Sequence, residues 1–269
     1  MNLRKGYSDG PEGQVHWRMA TPDGPAGAGD IYCFSPAPFS SIAYADLLPH
    51  LAKDHRIIAP DYPGQAGSDG GSSTPSIASY AASMLAVIED ISADTPVSAL
   101  GFHSGCLVAA ELQAVASARI DHAVLIDVPA FDPDTRAKFL PMVGQPFEPS
   151  ASIEALAKAW DMAVTKRLQR QSIEDCYAMF ADTVGNGPRM NATFHAAFTY
   201  DVEARFSAVQ GRTTILATQS SLLESSRRAA QLIEGATLVE RLEIEGSVLN
   251  ANAAPTAEAI LTALNAPPA

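Results

Sequence analysis

Four polar side chains in this 269-residue chain have the types and spacing to do chemistry together: Ser35, His103, Ser104 and Asp127. His103 stands midway between Gly101 and Gly105, with an apolar run on either side. An imidazole titrates near neutral pH, so His103 can give or take a proton at a reacting centre. Asp127 closes the apolar run His122-Ala-Val-Leu-Ile126 and could hold that imidazole in one tautomer. The Ser35 hydroxyl and the backbone N–H of Ser104 could donate to a developing oxyanion. A histidine, a carboxylate and a donor pair suffice for proton abstraction beside a carbonyl, for elimination or for water activation, with no covalent intermediate. Two other readings stay open. Ser104 could be a nucleophile, with His103 or His195 as its base. Alternatively, His103 is a packed imidazole and Asp127 a turn cap, and the bend carries no chemistry.

These residues need elements to position them. The run Val97-Ser-Ala-Leu-Gly-Phe-His-Ser-Gly-Cys-Leu-Val-Ala-Ala-Glu111 reads as an apolar strand, a glycine-flanked bend and an apolar helix. Other buried strands are expected at Asp30–Phe34, Arg56–Ala59, His122–Asp127, Thr213–Ala217 and Thr237–Ile244, with an edge strand at Val15–Met19. Residues 1–13 read as a frayed lead-in. Helices are expected at Ser41–Leu51, at Ile77–Ile91 capped by Ser76, at Glu224–Ile233 and at Pro255–Leu264. From about Phe131 to Ala208 only helical patterns remain, around Thr135–Met142, Ser152–Gln169, Ser172–Val184 and Asn191–Tyr200. Strands alternating with helices imply an α/β fold, a mostly parallel doubly wound sheet. Sites in such sheets lie beyond the carboxyl ends of the strands. Ser35, His103, Ser104 and Asp127 would share that rim.

With the Ser35-Pro-Ala-Pro38 strand exit, the loop Ile58-Ala-Pro-Asp-Tyr-Pro-Gly-Gln-Ala-Gly-Ser68, the glycine-flanked bend and the segment Arg227–Val239, the chain resembles the α/β-hydrolase superfamily over residues 14–130 and 205–265. The resemblance implies a core of residues 1–130 and 209–269, with 131–208 as a helical cap. It also implies hydrolysis of esters, amides, epoxides or C–C bonds without a cofactor. The family's nucleophile falls on His103, its histidine on Ser247 and its oxyanion dipeptide on Ser35-Pro36. The loop Thr218–Leu222, where its acid falls, holds no carboxylate. The expectation is an enzyme of non-standard mechanism, with His103 as acid/base on a small, largely apolar carbonyl compound (an ester, lactone or ketone). A serine hydrolase built on Ser104 and a catalytically silent ligand-binding homologue are the alternatives. The cap's Phe131, Phe139, Met142, Trp160, Phe180, Phe194, Phe198 and Tyr200 could wall the pocket or form the cap's own core. His195 and Trp160 are candidate substrate contacts.

Composition narrows the partners. The chain is 47% apolar and 18% charged, with a net charge of −12, so nucleic acid and anionic membranes are poor partners for it and a small molecule is the expected one. Cys33, Cys106 and Cys176 have no C-x-x-C spacing and read as free cytosolic thiols, which places the chain in the cytoplasm. The sequence shows no metal-ligand cluster and no G-x-G-x-x-G after a strand, so no metal and no dinucleotide cofactor is expected. There is no signal-peptide pattern, and no apolar run approaches the roughly 18 residues of a membrane span. The sequence does not set an oligomeric state.

Overall fold

The computed structural model describes residues 1–24, 26–27, 29–93, 95–168 and 171–267. Eight strands form one sheet: β1 (Asn2–Gly10), β2 (Gly13–Thr21), β3 (Ile31–Phe34), β4 (Ile57–Pro60), β5 (Val97–Phe102), β6 (Ile120–Ile126), β7 (Arg212–Gln219) and β8 (Thr237–Glu245). Their spatial order is β1-β2-β4-β3-β5-β6-β7-β8. The pairs from β4 through β8 are parallel, and β1-β2 and β2-β4 are antiparallel. This is the mostly parallel α/β sheet expected from the sequence.

Side chains alternate across the sheet and divide the core between its faces. In β3, Tyr32 and Phe34 join a cluster with Val87, Ile88 and Leu107, on the side of helices Ile77–Ile91 and Gly105–Val115. Ile31 and Cys33 face the other way, toward Leu47, Leu51 and Ile260. β3 and β4 are buried at every position, as befits central strands covered on both faces. Ser76 caps the helix Ile77–Ile91 through a reciprocal pair with Ser79, the two side chains each meeting the other residue's backbone N–H at 3.0 and 3.2 Å.

The sequence misleads in three places. The lead-in of residues 1–13 is ordered: β1 pairs with β2 along its whole length, so β2 is an inner strand and β1 is the edge. Six of the nine β1 residues are exposed and only Ser8 is buried, so β1 lacks the alternating burial pattern that sequence reading depends on. The helix expected over Ser41–Leu51 is two short pieces, a 3-10 turn at Ser41–Tyr44 and an α-turn at Leu48–Leu51, with Pro49 opening the second. The helix expected over Ser152–Gln169 is also broken, into Ile153–Leu156, Ala157–Trp160 and a wide π-turn at Asp161–Thr165, and its end at Gln169 lies outside the described residues. Among the described residues, every secondary-structure element between β6 and β7 is a helix.

Candidate functional site

The carboxyl ends of β3, β5, β6, β7 and β8 point to one rim, and the chain leaves each at a polar or conformationally unusual residue. After β5 the backbone turns sharply into the helix Gly105–Val115. His103 stands at the apex with φ +50, whereas Ser104 is already helical at φ −59. A non-glycine residue in the left-handed region is uncommon and strained, and surrounding contacts must hold it there. They do so here. The His103 N–H donates to the Ile126 carbonyl at 3.0 Å, and the His103 carbonyl accepts from the Cys106 N–H at 2.9 Å. The flanking glycines permit the tightness. A Cβ on Gly101 would lie 2.5 Å from the Cys106 Cα, and one on Gly105 would lie 1.9 Å from the Phe34 carbonyl oxygen.

Asp127 and Ser247, after β6 and β8, are likewise left-handed, with φ +50 and +44. Asp127 is fully buried. Its carboxylate accepts from the Thr218 N–H at 2.9 Å and from the Thr218 hydroxyl at 2.6 Å. Both carboxylate oxygens are therefore tied to the end of β7.

His103 lines two adjoining cavities. One, of about 200 Å³, is bounded also by Asp127, Arg167, Ser220 and Ser247. The other, of about 230 Å³, is walled by Phe131, Phe194 and Phe198, with Ser104 at its base. Ala37 borders both. The imidazole lies against the Phe102 ring, with centroids 4.0 Å apart and planes tilted by 34°. Burial lowers the His103 pKa from its ordinary 6.5 to about 4; the Asp127 carboxylate opposes that fall and the Arg167 cation adds to it. At neutral pH the ring is therefore uncharged and has a lone pair with which to take a proton.

The other expected site residues fall as follows. Ser104 is on the rim, with its hydroxyl oxygen accepting the Ala37 N–H at 2.7 Å. Ser35 is not brought to either cavity. Its hydroxyl is buried without a hydrogen-bond partner among the described residues, and Ala37, two residues beyond it, lines both cavities instead. Pro36, between them, has no N–H to offer. His195 borders neither cavity, and its Nδ1–H is committed to the Gly144 carbonyl at 3.0 Å. Trp160 is 36% exposed and packs edge-on against Tyr177 and Phe180, away from both cavities. Tyr200 turns to the core, where its hydroxyl meets Glu111 at 2.8 Å.

Arg167 and Ser220 line the cleft and escape sequence reading. Arg167 sits in the helical stretch beside other charged residues, and nothing in its neighbours distinguishes an inward side chain from a solvated one. Ser220 lies in the loop where a carboxylate is looked for, and a serine there draws no attention. Among the described residues no group of three or more His, Cys, Asp or Glu side chains is arranged to hold a metal, and no helix is long and apolar enough to cross a membrane.

This arrangement of sheet, bend and rim has relatives. Residues 25–258 match the model of the alpha/beta hydrolase family, and the chain belongs to that family. Comparison with the curated proteins gives no match. Among solved structures, an enol-lactonase from Burkholderia xenovorans superimposes with a TM-score of 0.76 at 18% identity, covering 97% of this chain and 100% of the other. An esterase from Exiguobacterium antarcticum gives 0.77 at 13% identity, covering 98% and 100%. A bromoperoxidase from Bacillus anthracis gives 0.78 at 15%, covering 98% and 100%. At such identities the likeness is one of fold.

Proposed function

We propose that this chain is an enzyme acting on a small, largely apolar carbonyl compound (an ester, lactone or ketone), with His103 as its general acid/base. One observation carries the reading: a neutral imidazole at the strained apex of the strand-to-helix bend, facing both cavities of the rim. In this reading the helical segment 131–208 caps the site, and the usual nucleophile position of the family is held by His103. The positions of its usual histidine and acid are held by Ser247 and the carboxylate-free loop around Ser220. Ordinary acyl-enzyme chemistry then has no partners, and His103 works directly on substrate or on water. Asp127 supplies a fixed negative field that favours a passing imidazolium, and the Ser104 N–H at the helix start donates to a developing oxyanion. The enol-lactonase and esterases among the structural relatives act, by their names, on bonds of this class.

A second reading, a ligand-binding protein without turnover, is favoured by the bond between the Ala37 N–H and the Ser104 hydroxyl, which occupies a donor that an oxyanion would use. The test is a panel of aryl esters, small lactones and enolisable ketones, run with the wild type, His103→Asn and Ser104→Ala. Asparagine tolerates the left-handed backbone at position 103. The acid/base reading expects loss of at least about 100-fold in kcat for His103→Asn and retained turnover for Ser104→Ala. Retained turnover in His103→Asn overturns it, and a fluorophosphonate adduct on Ser104 transfers the chemistry to the serine. Saturable binding without turnover of any panel member supports the second reading.

A further inference from the structure

The cavity shared by His103 and Asp127 also holds a positive charge that makes no ion pair among the described residues. Several other cations of the chain meet carboxylates, as Lys166 does with Asp161 at 2.8 Å, Arg205 with Glu111 at 2.8 Å and Arg227 with Glu240 at 2.7 Å, whereas Arg18, Arg119, Arg189 and Arg212 bond hydroxyl or carbonyl oxygens. Arg167 pairs with no carboxylate among the described residues. Its guanidinium lies 4.5 Å from the centroid of the Phe39 ring. Its two hydrogen bonds are long: Nε donates to the Met162 carbonyl and Nη1 to the Gln171 side chain, each at 3.3 Å. Nη2 donates to no described residue. Arg167 and His103 bound the same cavity, and Arg167 is the only Lys or Arg among its described lining residues. Burial lowers the pKa of Arg167, so the fold removes water from a cation and gives it an aromatic face in place of a counter-charge. In a chain of net charge −12, carboxylates abound that could have neutralised it.

We propose that Arg167 binds the carboxylate of the substrate, and that the substrate class is a small monocarboxylate whose apolar part lies along Phe131, Phe194 and Phe198 with His103 between the two ends. The guanidinium fork suits a carboxylate, and the two cavities on either side of His103 match a molecule with one charged end and one hydrocarbon end. A phosphate dianion fits less well, since the cavity offers it one cation and sets the Asp127 carboxylate beside it. The inference rests on the reading of this cleft as the substrate site.

The test is calorimetric titration of the full chain with phenylbutyrate and with its neutral counterpart phenylbutyramide. Wild type, Arg167→Gln, Arg167→Lys and His103→Asn are compared, and phenyl phosphate serves as a further arm. Binding of the acid is expected to exceed that of the amide by on the order of ten- to hundred-fold. Arg167→Gln should abolish this preference while leaving the amide's affinity unchanged, and Arg167→Lys should restore part of it. Equal binding of acid and amide, a preference that survives Arg167→Gln, or no saturable binding of the acid at millimolar concentration each overturns the proposal. Phenyl phosphate binding more tightly than phenylbutyrate overturns the choice of carboxylate. His103→Asn separates the two readings. If it keeps both turnover and the acid preference, the acid/base role falls and the Arg167 site stands; if it loses turnover while Arg167→Gln keeps the preference, the reverse holds.

Discussion

Replacing His103 by asparagine should make the protein less sensitive to acid. In the unfolded chain this histidine titrates near 6.5, and in the fold it titrates at about 4. Between those values the unfolded state binds a proton that the folded state refuses. Stability therefore rises with pH across the window: the contribution is complete above about 6.5, is lost as pH falls toward about 4, and changes no further below that. The gap between the two values corresponds to about 3 kcal/mol. That is a ceiling, because an imidazole lining two cavities keeps some contact with water. Most of the loss, about 2 kcal/mol or slightly more, is in place by roughly pH 4.5. Urea unfolding of wild type and His103→Asn at pH 7 and at about pH 4.5 measures the difference directly. His122, whose pKa burial lowers to about 4, contributes equally to both proteins and cancels in the comparison. The variant should lose about 2 kcal/mol less than the wild type on acidification. Parallel pH profiles would refute the reasoning, as would a His103 imidazole that titrates near 6.5 by NMR.

Two further outcomes follow from the packing. Gly105→Ala places a methyl group 1.9 Å from the Phe34 carbonyl oxygen, where backbone rather than a pliant side chain must move. It should cost more than about 3 kcal/mol or abolish soluble expression; a thermal midpoint within a few degrees of wild type would contradict the close approach of bend and β3. Glu111→Ala removes a buried carboxylate that accepts from Arg205 through both Nε and Nη2 at 2.8 Å and from the Tyr200 hydroxyl at 2.8 Å. That loss should destabilise the chain by about 3–5 kcal/mol and loosen the helix Val202–Phe206 first, which hydrogen exchange would report.

How far the sequence reveals this molecule depends on which interactions are local. The parallel strands are legible because burial on both faces demands continuous apolar runs, as in Ile31–Phe34 and Ile57–Ala59. The bend is legible because Gly101 and Gly105 mark two close backbone approaches. β1 is not, since its partner is an exposed ladder rather than a core. Nor is the commitment of Asp127 to Thr218, which joins residues 91 positions apart and becomes visible only when β6 and β7 pair. Whether Ser35 or Ala37 reaches the cleft depends on the path the chain takes after β3 ends at Phe34, through Pro36 and Pro38, which strand alternation does not give. Arg167 was hidden for a similar reason: a broken helix with a π-turn before it aims the side chain in a direction that ideal helical spacing does not give.

The bond from the Ala37 N–H to the Ser104 hydroxyl bears on which side chain at the bend can react. A serine nucleophile must present a lone pair to a carbonyl carbon and lose its proton to a base as it attacks. Here the Ser104 oxygen already spends a lone pair on a backbone donor, and that donation draws electron density away from it. The His103 ring is free of such a commitment, with no hydrogen bond to its nitrogens among the described residues. Its lowered pKa leaves it unprotonated at neutral pH, and both Asp127 carboxylate oxygens are bonded to Thr218 rather than to the ring. In the proposed mechanism the imidazole would take a proton from substrate, be steadied as imidazolium by the nearby carboxylate, and be driven to release the proton again by burial and by the Arg167 cation. Once a carboxylate covers Arg167, that cation's field is partly cancelled and the imidazole becomes a stronger base. Occupying the anion site would thus raise the basicity of the group beside it, and binding and proton transfer would be coupled through the charge of the ligand itself.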